Sequence, residues 1–251
     1  MSVAARVLWG SLAAWSKIGV TAVTQIALVP IFLSFWSVEQ YGCWLVIQSV
    51  TAFVNIFSLA HHNYVGNEFL RVPARDPVRI GALLSAALPY SIALGLIELA
   101  LLALLAVLGH TAMLFDPEQR LSADLLHEAV WALALLATST FLSVCTSGLY
   151  SRVVGTFGHF PRTAWWGVVT AITTAAASAL LVWFGAGLLS TAAGVAALNL
   201  LMFALYQRDL WRLSRQHEVA LTHPDWRLGL GNLLEDGFVA TDLSQASTFS
   251  V

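Results

Sequence analysis

The chain has 251 residues, of which 58% are hydrophobic and only 10% are charged, and its mean hydropathy is +0.76. Soluble domains carry about 25% charged residues, and no water-soluble core of this length hides so much apolar surface. The composition therefore excludes a soluble protein and predicts an integral membrane protein.

Long apolar runs follow one another along the chain and predict the spanning elements. A spanning α-helix needs about 20 mostly apolar residues, and these runs lack the alternation of about two residues that marks a barrel strand. The sequence therefore predicts an all-α, polytopic membrane helix bundle. The predicted helices lie at 10–36, 41–60, 80–109, 129–150, 163–184 and 188–207.

The number of crossings depends on Ile80–Phe115, an apolar stretch interrupted only by Glu98 and His110. It could form one long helix that contains Pro89 or a hairpin that turns at Glu98. Cytoplasmic loops carry most arginines of a membrane protein. Six crossings with a cytoplasmic amino terminus put ten arginines inside and Arg120 outside, whereas seven crossings split the eleven arginines into five and six. Six crossings are therefore predicted.

The chain divides into two regions of different composition. Residues 1–215 contain the six predicted helices and form one transmembrane lobe. Residues 216–251 are mixed and polar, without a further run of spanning length. We interpret them as a cytoplasmic tail that could be the truncated start of a second lobe.

Polar side chains follow one face of each of the first two predicted helices. In the first helix these are Lys17, Thr21, Thr24 and Gln25, and in the second Gln48, Thr51, Asn55 and Ser58. An unpaired polar group in hydrocarbon costs several kcal/mol, so these faces must point at protein or at water. They predict either close helix packing or a water-accessible cavity. Similar Ser and Thr stripes in the fourth and fifth helices favour packing.

Lys17 allows two interpretations. Residues 18–38 could span the membrane alone, which would leave the lysine reaching for water at the cytoplasmic edge. Residues 7–16 are also apolar, however, so the helix is predicted to begin before Lys17 and to hold its ammonium group inside the membrane. Such a cation costs about 2.5–3.5 kcal/mol at the helix centre on insertion scales, a cost that implies a function.

Glu98 is the one acidic residue deep in an apolar run. It could bind a proton or a coupling ion, or it could pair with Lys17. It lies about 27 Å along a helix that begins at Ile80, and this length favours a third position, at the outer membrane interface.

No catalytic or metal-binding constellation is evident in the sequence. The adjacent His61 and His62 do not share a helix face, and no Cys/His spacing typical of a zinc site accompanies them. Cys43 and Cys145 both fall inside apolar segments and are interpreted as small buried hydrophobic residues. We therefore predict neither an enzyme nor a cofactor.

The passage VPIFLSFWSVEQYGCWLVIQSVTAFVNIFSLAHHNYVGNEFLR (residues 29–71) resembles the amino-terminal region of polysaccharide-export flippases of the O-antigen type. These proteins belong to the multidrug/oligosaccharidyl-lipid/polysaccharide exporter superfamily. The resemblance rests on a first helix that ends in a short acidic turn, on Tyr41-Gly42-x-Trp44 at the start of the second helix, and on a polar segment that ends in arginine. Family members normally have two lobes of this kind, and this chain has one.

The resemblance implies a flippase lobe in the bacterial inner membrane. The implied substrate is a polyprenyl-diphosphate-linked oligosaccharide that crosses from the inner to the outer leaflet for synthesis of cell-envelope polysaccharide such as lipopolysaccharide. The implied partners are membrane lipids and a second lobe or polysaccharide-assembly proteins, not nucleic acid. We expect the substrate path to be lined by Lys17, Thr21, Gln25, Gln48 and Asn55. The alternatives are an ion-coupled multidrug exporter lobe that uses Glu98 and a non-transporting scaffold or polymerase partner.

Overall fold

The computed structural model describes residues 3–72, 75–108, 114–115 and 121–221, and within these ranges the chain is helical, without a strand. The long α-helices are α1 (Val3–Phe35), α2 (Val38–Arg71), α3 (Pro77–Val107), α4 (Ala123–Val154), α5 (Phe160–Trp183) and α6 (Leu188–Gln216). The all-α class is confirmed. Most of the predicted tail, residues 222–251, lies outside the described residues.

Short polar motifs fix where the helices begin. The Ser37 side chain accepts a hydrogen bond from the Gln40 backbone N–H while the Gln40 side chain accepts one from the Ser37 N–H, so the two form a capping box for α2. Asp76 accepts from the Val78 N–H at 2.9 Å and precedes a proline at the first position of α3. These caps satisfy backbone donors that a helix cannot satisfy itself.

Two buried clusters show that successive helices run in opposite directions. The outer cluster joins the end of α1, the start of α2, the start of α4, the end of α5 and the start of α6. The inner cluster joins the end of α2, the start of α3, the end of α4 and the end of α6. The outer cluster includes Phe32, Trp36, Trp44, Leu133, Val182 and Leu188; the inner cluster includes Phe69, Ile80, Leu149, Val153, Leu210 and Leu213.

Five helical stretches in the described part of the chain are long and apolar enough to cross a membrane. One of them, Ala123–Trp183, has 61 residues and would measure about 92 Å as a straight helix, three times the roughly 30 Å of the hydrocarbon core. It is interrupted by a π-helical turn at Gly155–His159, where Gly158 adopts a φ of 91° that suits glycine. Since α4 and α5 run in opposite directions, this stretch is two helices of spanning length, and the described part of the chain contains six such helices.

The third helix continues without a break through Pro89 and Glu98. The hairpin at Glu98 is therefore wrong, and the single crossing chosen from the arginine distribution is confirmed. All nine arginines in the described ranges lie at the helix ends that meet at the inner cluster or, for Arg6, at the start of α1 beside them. By the positive-inside rule this is the cytoplasmic end.

The helices form a packed group to which a pair is joined. Helix α4 is central and packs on α2, α3 and α6. Helix α1 packs along α5, which in turn packs on α6. In contrast, α1 and α2 have few contacts, and the ring contacts between them lie near the outer end, where Phe32 meets Tyr41 and Trp44. The two consecutive helices are thus separated along most of their length.

Candidate functional site

The polar face of α1 is exposed and borders the gap between α1 and α2. Lys17, Thr21 and Gln25 are all exposed. At 100° per residue, they lie within an arc of roughly 80° that also contains Leu28 and Phe32. Phe32 contacts α2 near the outer end of α1. Lys17, Thr21 and Gln25, on the same side of α1 but nearer its start, therefore face α2 where the two helices are apart.

Lys17 lies over a glycine of α5. A Cβ atom built on Gly167 would be 3.4 Å from the lysine Cδ and 3.6 Å from Nζ. The absence of a side chain at Gly167 leaves room for the lysine stem beside α5, with its ammonium group exposed. Among the described residues Lys17 forms no ion pair, so its charge is available to a ligand.

A second cation, Arg152, reaches the same gap from α4, and sequence reasoning missed it. Its stem packs on Gly66 of α2, where an added Cβ would come within 2.9 Å of the arginine Cδ. Its Nη2 donates to Asn63 Oδ1 at 2.6 Å. Asn63 shares an arc of roughly 60° on α2 with Gln48 and Tyr41, and Tyr41 contacts α1. Arg152 therefore points to the α1 side of α2, and no ion pair of its side chain is found in the described ranges.

One aromatic pair, from α5 and α6, lies near both cations. Trp166, beside Gly167, packs against Tyr206 of α6 with ring centroids 5.6 Å apart. Tyr206 lies near Ser151 and Arg152 at the end of α4. We call this set the polar trough. It comprises Lys17, Thr21 and Gln25 of α1, Gln48 and Asn63 of α2, Arg152 of α4 and Tyr206 of α6.

The rest of the α2 stripe borders α3 and α4. Thr51 and Asn55 line a small cavity, of about 20 Å³, that α2 forms with α3 and α4. The amide of Asn55 donates to the Thr51 carbonyl oxygen at 2.8 Å. The structure thus brings Lys17, Thr21, Gln25 and Gln48 to the trough, whereas Asn55 lines the small cavity beside α3 and α4.

Glu98 lines the same cavity, between α2, α3 and α4, and its position at the outer membrane interface stays a prediction. Only 8% of the residue is exposed. Its carboxylate accepts hydrogen bonds from Ser58, at 3.2 Å from the backbone N–H and at 3.0 Å from the hydroxyl. Lys17 is on another helix and is not its partner.

One turn further inward, a buried histidine joins the same three helices. His62 is 2% exposed, and its Nε2 lies 2.8 Å from Ser91 Oγ of α3. The Ser91 hydroxyl donates to the Cys145 carbonyl oxygen of α4 at 2.7 Å. His62 continues the stripe of Thr51, Asn55 and Ser58 at helical spacing, and it was missed because residues 61–71 were interpreted as a loop.

The stripes of α4 and α5, which favour packing by their sequence, form few hydrogen bonds between helices in the described part of the chain. Their hydroxyls donate mainly to carbonyl oxygens of their own helices, as Ser143 does to Ser139 and Ser178 to Ala175. One bond crosses between helices, from Thr174 Oγ1 to Asn199 Oδ1 at 3.1 Å. Cys43 and Cys145 are both buried and are not joined by a disulfide, in agreement with the prediction.

Comparison of the chain with protein-family models, with curated proteins and with solved structures gave no match. The polar trough and the Glu98 cavity are thus the features on which a functional proposal depends.

Proposed function

We propose that this chain is a transporter lobe that moves a polyprenyl-diphosphate-linked oligosaccharide from the inner to the outer leaflet of a bacterial inner membrane, where the oligosaccharide enters cell-envelope polysaccharide. The six alternating helices, the resemblance of residues 29–71 to polysaccharide-export flippases and the polar trough support the proposal. A second lobe would close the trough on its exposed side.

The observation that carries the proposal is the presence of two unpaired cations in the trough. Lys17 and Arg152 have no carboxylate partner in the described ranges, and each approaches the gap from a different wall. A diphosphate carries negative charges that cannot enter hydrocarbon unaided. Ammonium and guanidinium groups bind phosphate oxygens through charge-assisted hydrogen bonds, the guanidinium often through two at once.

The remaining groups of the trough suit the other parts of such a substrate. The Gln25, Gln48 and Asn63 amides donate and accept hydrogen bonds, as sugar hydroxyls require. The gap between α1 and α2 leaves a lateral opening for a lipid chain, and exposed apolar residues such as Ile18 and Phe53 lie on these two helices. The polyprenyl tail would stay in the bilayer while the headgroup moves along the trough.

Binding by the purified chain in lipid nanodiscs tests this function without requiring a second lobe. We expect polyprenyl diphosphate to bind, polyprenyl monophosphate to bind more weakly and neutral polyprenol not to compete. Lys17→Ala and Arg152→Ala should each weaken diphosphate binding about 10-fold or more, since a hydrogen bond to a charged group contributes about 1.5–3 kcal/mol. Lys17→Arg should retain most of the affinity.

The matched control is Arg208→Ala, which removes an exposed arginine near the cytoplasmic end of α6. It should leave diphosphate affinity within about twofold, since a single exposed charge contributes little. Equal affinity of the wild type for diphosphate and for polyprenol, or equal losses in all three alanine variants, would refute specific headgroup recognition.

A second candidate is an ion-coupled multidrug exporter lobe, which the burial of Glu98 favours. Such a lobe needs an acidic residue inside the membrane, and Glu98 meets that requirement. Measurement of binding of hydrophobic cationic dyes to the same nanodiscs separates the candidates. Dye binding that depends on Glu98, without diphosphate binding, would favour the exporter.

A further inference from the structure

Glu98 is a buried carboxylate that forms no ion pair with any residue the structure describes. Within the described ranges, the side chains that line its cavity are Thr51, Val54, Asn55, Leu99, Leu102, Ala137, Thr140 and Phe141. None of these residues from α2, α3 or α4 is ionisable, and the titratable His61 and His62 follow Ser58 by about one turn of α2. An ionised carboxylate in such surroundings is costly unless a proton or a bound cation neutralises it.

The hydrogen bonds of Glu98 suit an ionised carboxylate and also allow for a neutral acid. Ser58 donates to both carboxylate oxygens, and these charge-assisted bonds join α3 to α2. A protonated carboxyl becomes a donor and needs an acceptor. The cavity offers one in Thr51 Oγ1, which is buried and has no hydrogen-bond partner among the described residues. The volume of the cavity is sufficient for one water molecule.

We propose that Glu98 is a proton-exchange site that controls the contact between α2 and α3. Loss of the proton creates the carboxylate that accepts from the Ser58 N–H and O–H and tightens this contact. Gain of a proton removes the buried charge, weakens the Ser58 bonds and turns the carboxyl O–H toward Thr51. This inference rests on the proposed function only in assigning the proton as the ion that drives movement of the lobe. Glu98 itself is not one of the trough residues proposed to bind the substrate.

Infrared difference spectroscopy of the chain in nanodiscs tests the site directly. Changing the pH should produce a carbonyl band of a protonated carboxylic acid that shifts in D₂O. The band should be absent in Glu98→Gln, shifted in Glu98→Asp and unchanged in the matched control Glu39→Gln, whose side chain is exposed at the start of α2. A band that survives in Glu98→Gln, or a spectrum that does not change with pH, would overturn the proposal.

Hydrogen–deuterium exchange of the peptide around Ser58 tests the consequence for the helices. After correction for the intrinsic pH dependence of exchange, acid should raise the exchange rate of this segment in the wild type. Glu98→Gln should exchange at the faster, acid-like rate at every pH. Exchange that follows the sodium concentration rather than the pH would overturn the assignment of a proton. If the infrared band titrates while diphosphate does not bind, the proton site stands and the proposed substrate fails.

Discussion

Gly66→Ala is expected to displace Arg152 without changing any charge in the trough. Gly66 lies on α2 directly beneath the arginine stem, and the new Cβ would be 2.9 Å from Cδ, 3.1 Å from Cγ and 3.3 Å from Nε. Atoms at these distances overlap, so the stem must lift from α2. The guanidinium group then leaves Asn63, with which it now forms a bond of 2.6 Å.

The size of the effect follows from the role of the guanidinium group. Where Arg152 contributes one charge-assisted hydrogen bond to a bound diphosphate, its displacement removes about 1.5–3 kcal/mol, or roughly 10- to 150-fold in affinity. The flexible stem relaxes partly, so we expect the lower end of this range. Titration of polyprenyl diphosphate into nanodiscs, together with the thermal unfolding midpoint, separates binding from stability.

Gly19→Ala is the matched control for Gly66→Ala. Gly19 lies within α1, and a Cβ there meets nothing within 4 Å. This variant should bind diphosphate as the wild type does and should be slightly more stable, because alanine is favoured over glycine in a helix by about 0.5–1 kcal/mol. Unchanged affinity in Gly66→Ala, with the arginine shown to be displaced, would refute a role for Arg152 in the trough.

The remaining predictions concern stability and are measured as thermal unfolding midpoints of the purified chain, with all variants in the same detergent. Gly148→Ala should destabilise the bundle by about 1–3 kcal/mol through overpacking, because its Cβ would lie 2.4 Å from ring atoms of the buried His62. Gly42→Ala should not destabilise it, because an added Cβ there meets no described atom within 4 Å. Equal unfolding midpoints of the two variants would contradict the packing of His62 on Gly148. Trp36→Phe should lose about 0.5–1.5 kcal/mol, since the indole N–H donates to the Ala186 carbonyl oxygen at 2.8 Å. A wild-type midpoint in Trp36→Phe would mean that this link between the ends of α1 and α5 is replaced by water.

The fold was largely predictable because the hydrophobic effect acts on each helix separately. Each apolar run had to be a helix in lipid, and the arginines fixed both the number and the direction of the crossings. Helix lengths were underestimated because hydropathy marks the hydrocarbon-facing part of a helix. The polar end of α2, from His61 to Arg71, is helical as well. It contributes Asn63 to the trough and Gly66 beneath the Arg152 stem.

The site was only partly predictable. Helix periodicity shows which residues share one side of a helix, but it does not show which other helix packs against that side. The stripes of α1 and α2 were recognised, but nothing in the sequence indicated that α1 packs on α5 while Thr51, Asn55 and Ser58 pack toward α3 and α4. Arg152 was assigned to the cytoplasmic arginines by its charge, and only its contact with Gly66 brings it to the trough. The depth of Glu98 was counted along α3 alone. Its hydrogen bonds to Ser58 depend on the heights of α2 and α3 relative to each other, which the sequence does not give.

Water accessibility of the α1 stripe tests the central claim most directly. Single cysteines at Thr21 and Gln25 should react with a membrane-impermeant, charged thiol reagent in native membranes, and polyprenyl diphosphate should protect them. A cysteine at Ile26, which is exposed at nearly the same depth but on the opposite side of α1, should not react. The native Cys43 and Cys145 are buried, and labelling of the wild type gives their background reactivity. If the cysteines at Thr21 and Gln25 are as unreactive as the one at Ile26, the α1 stripe faces lipid or protein, and the trough is not a path for a charged headgroup.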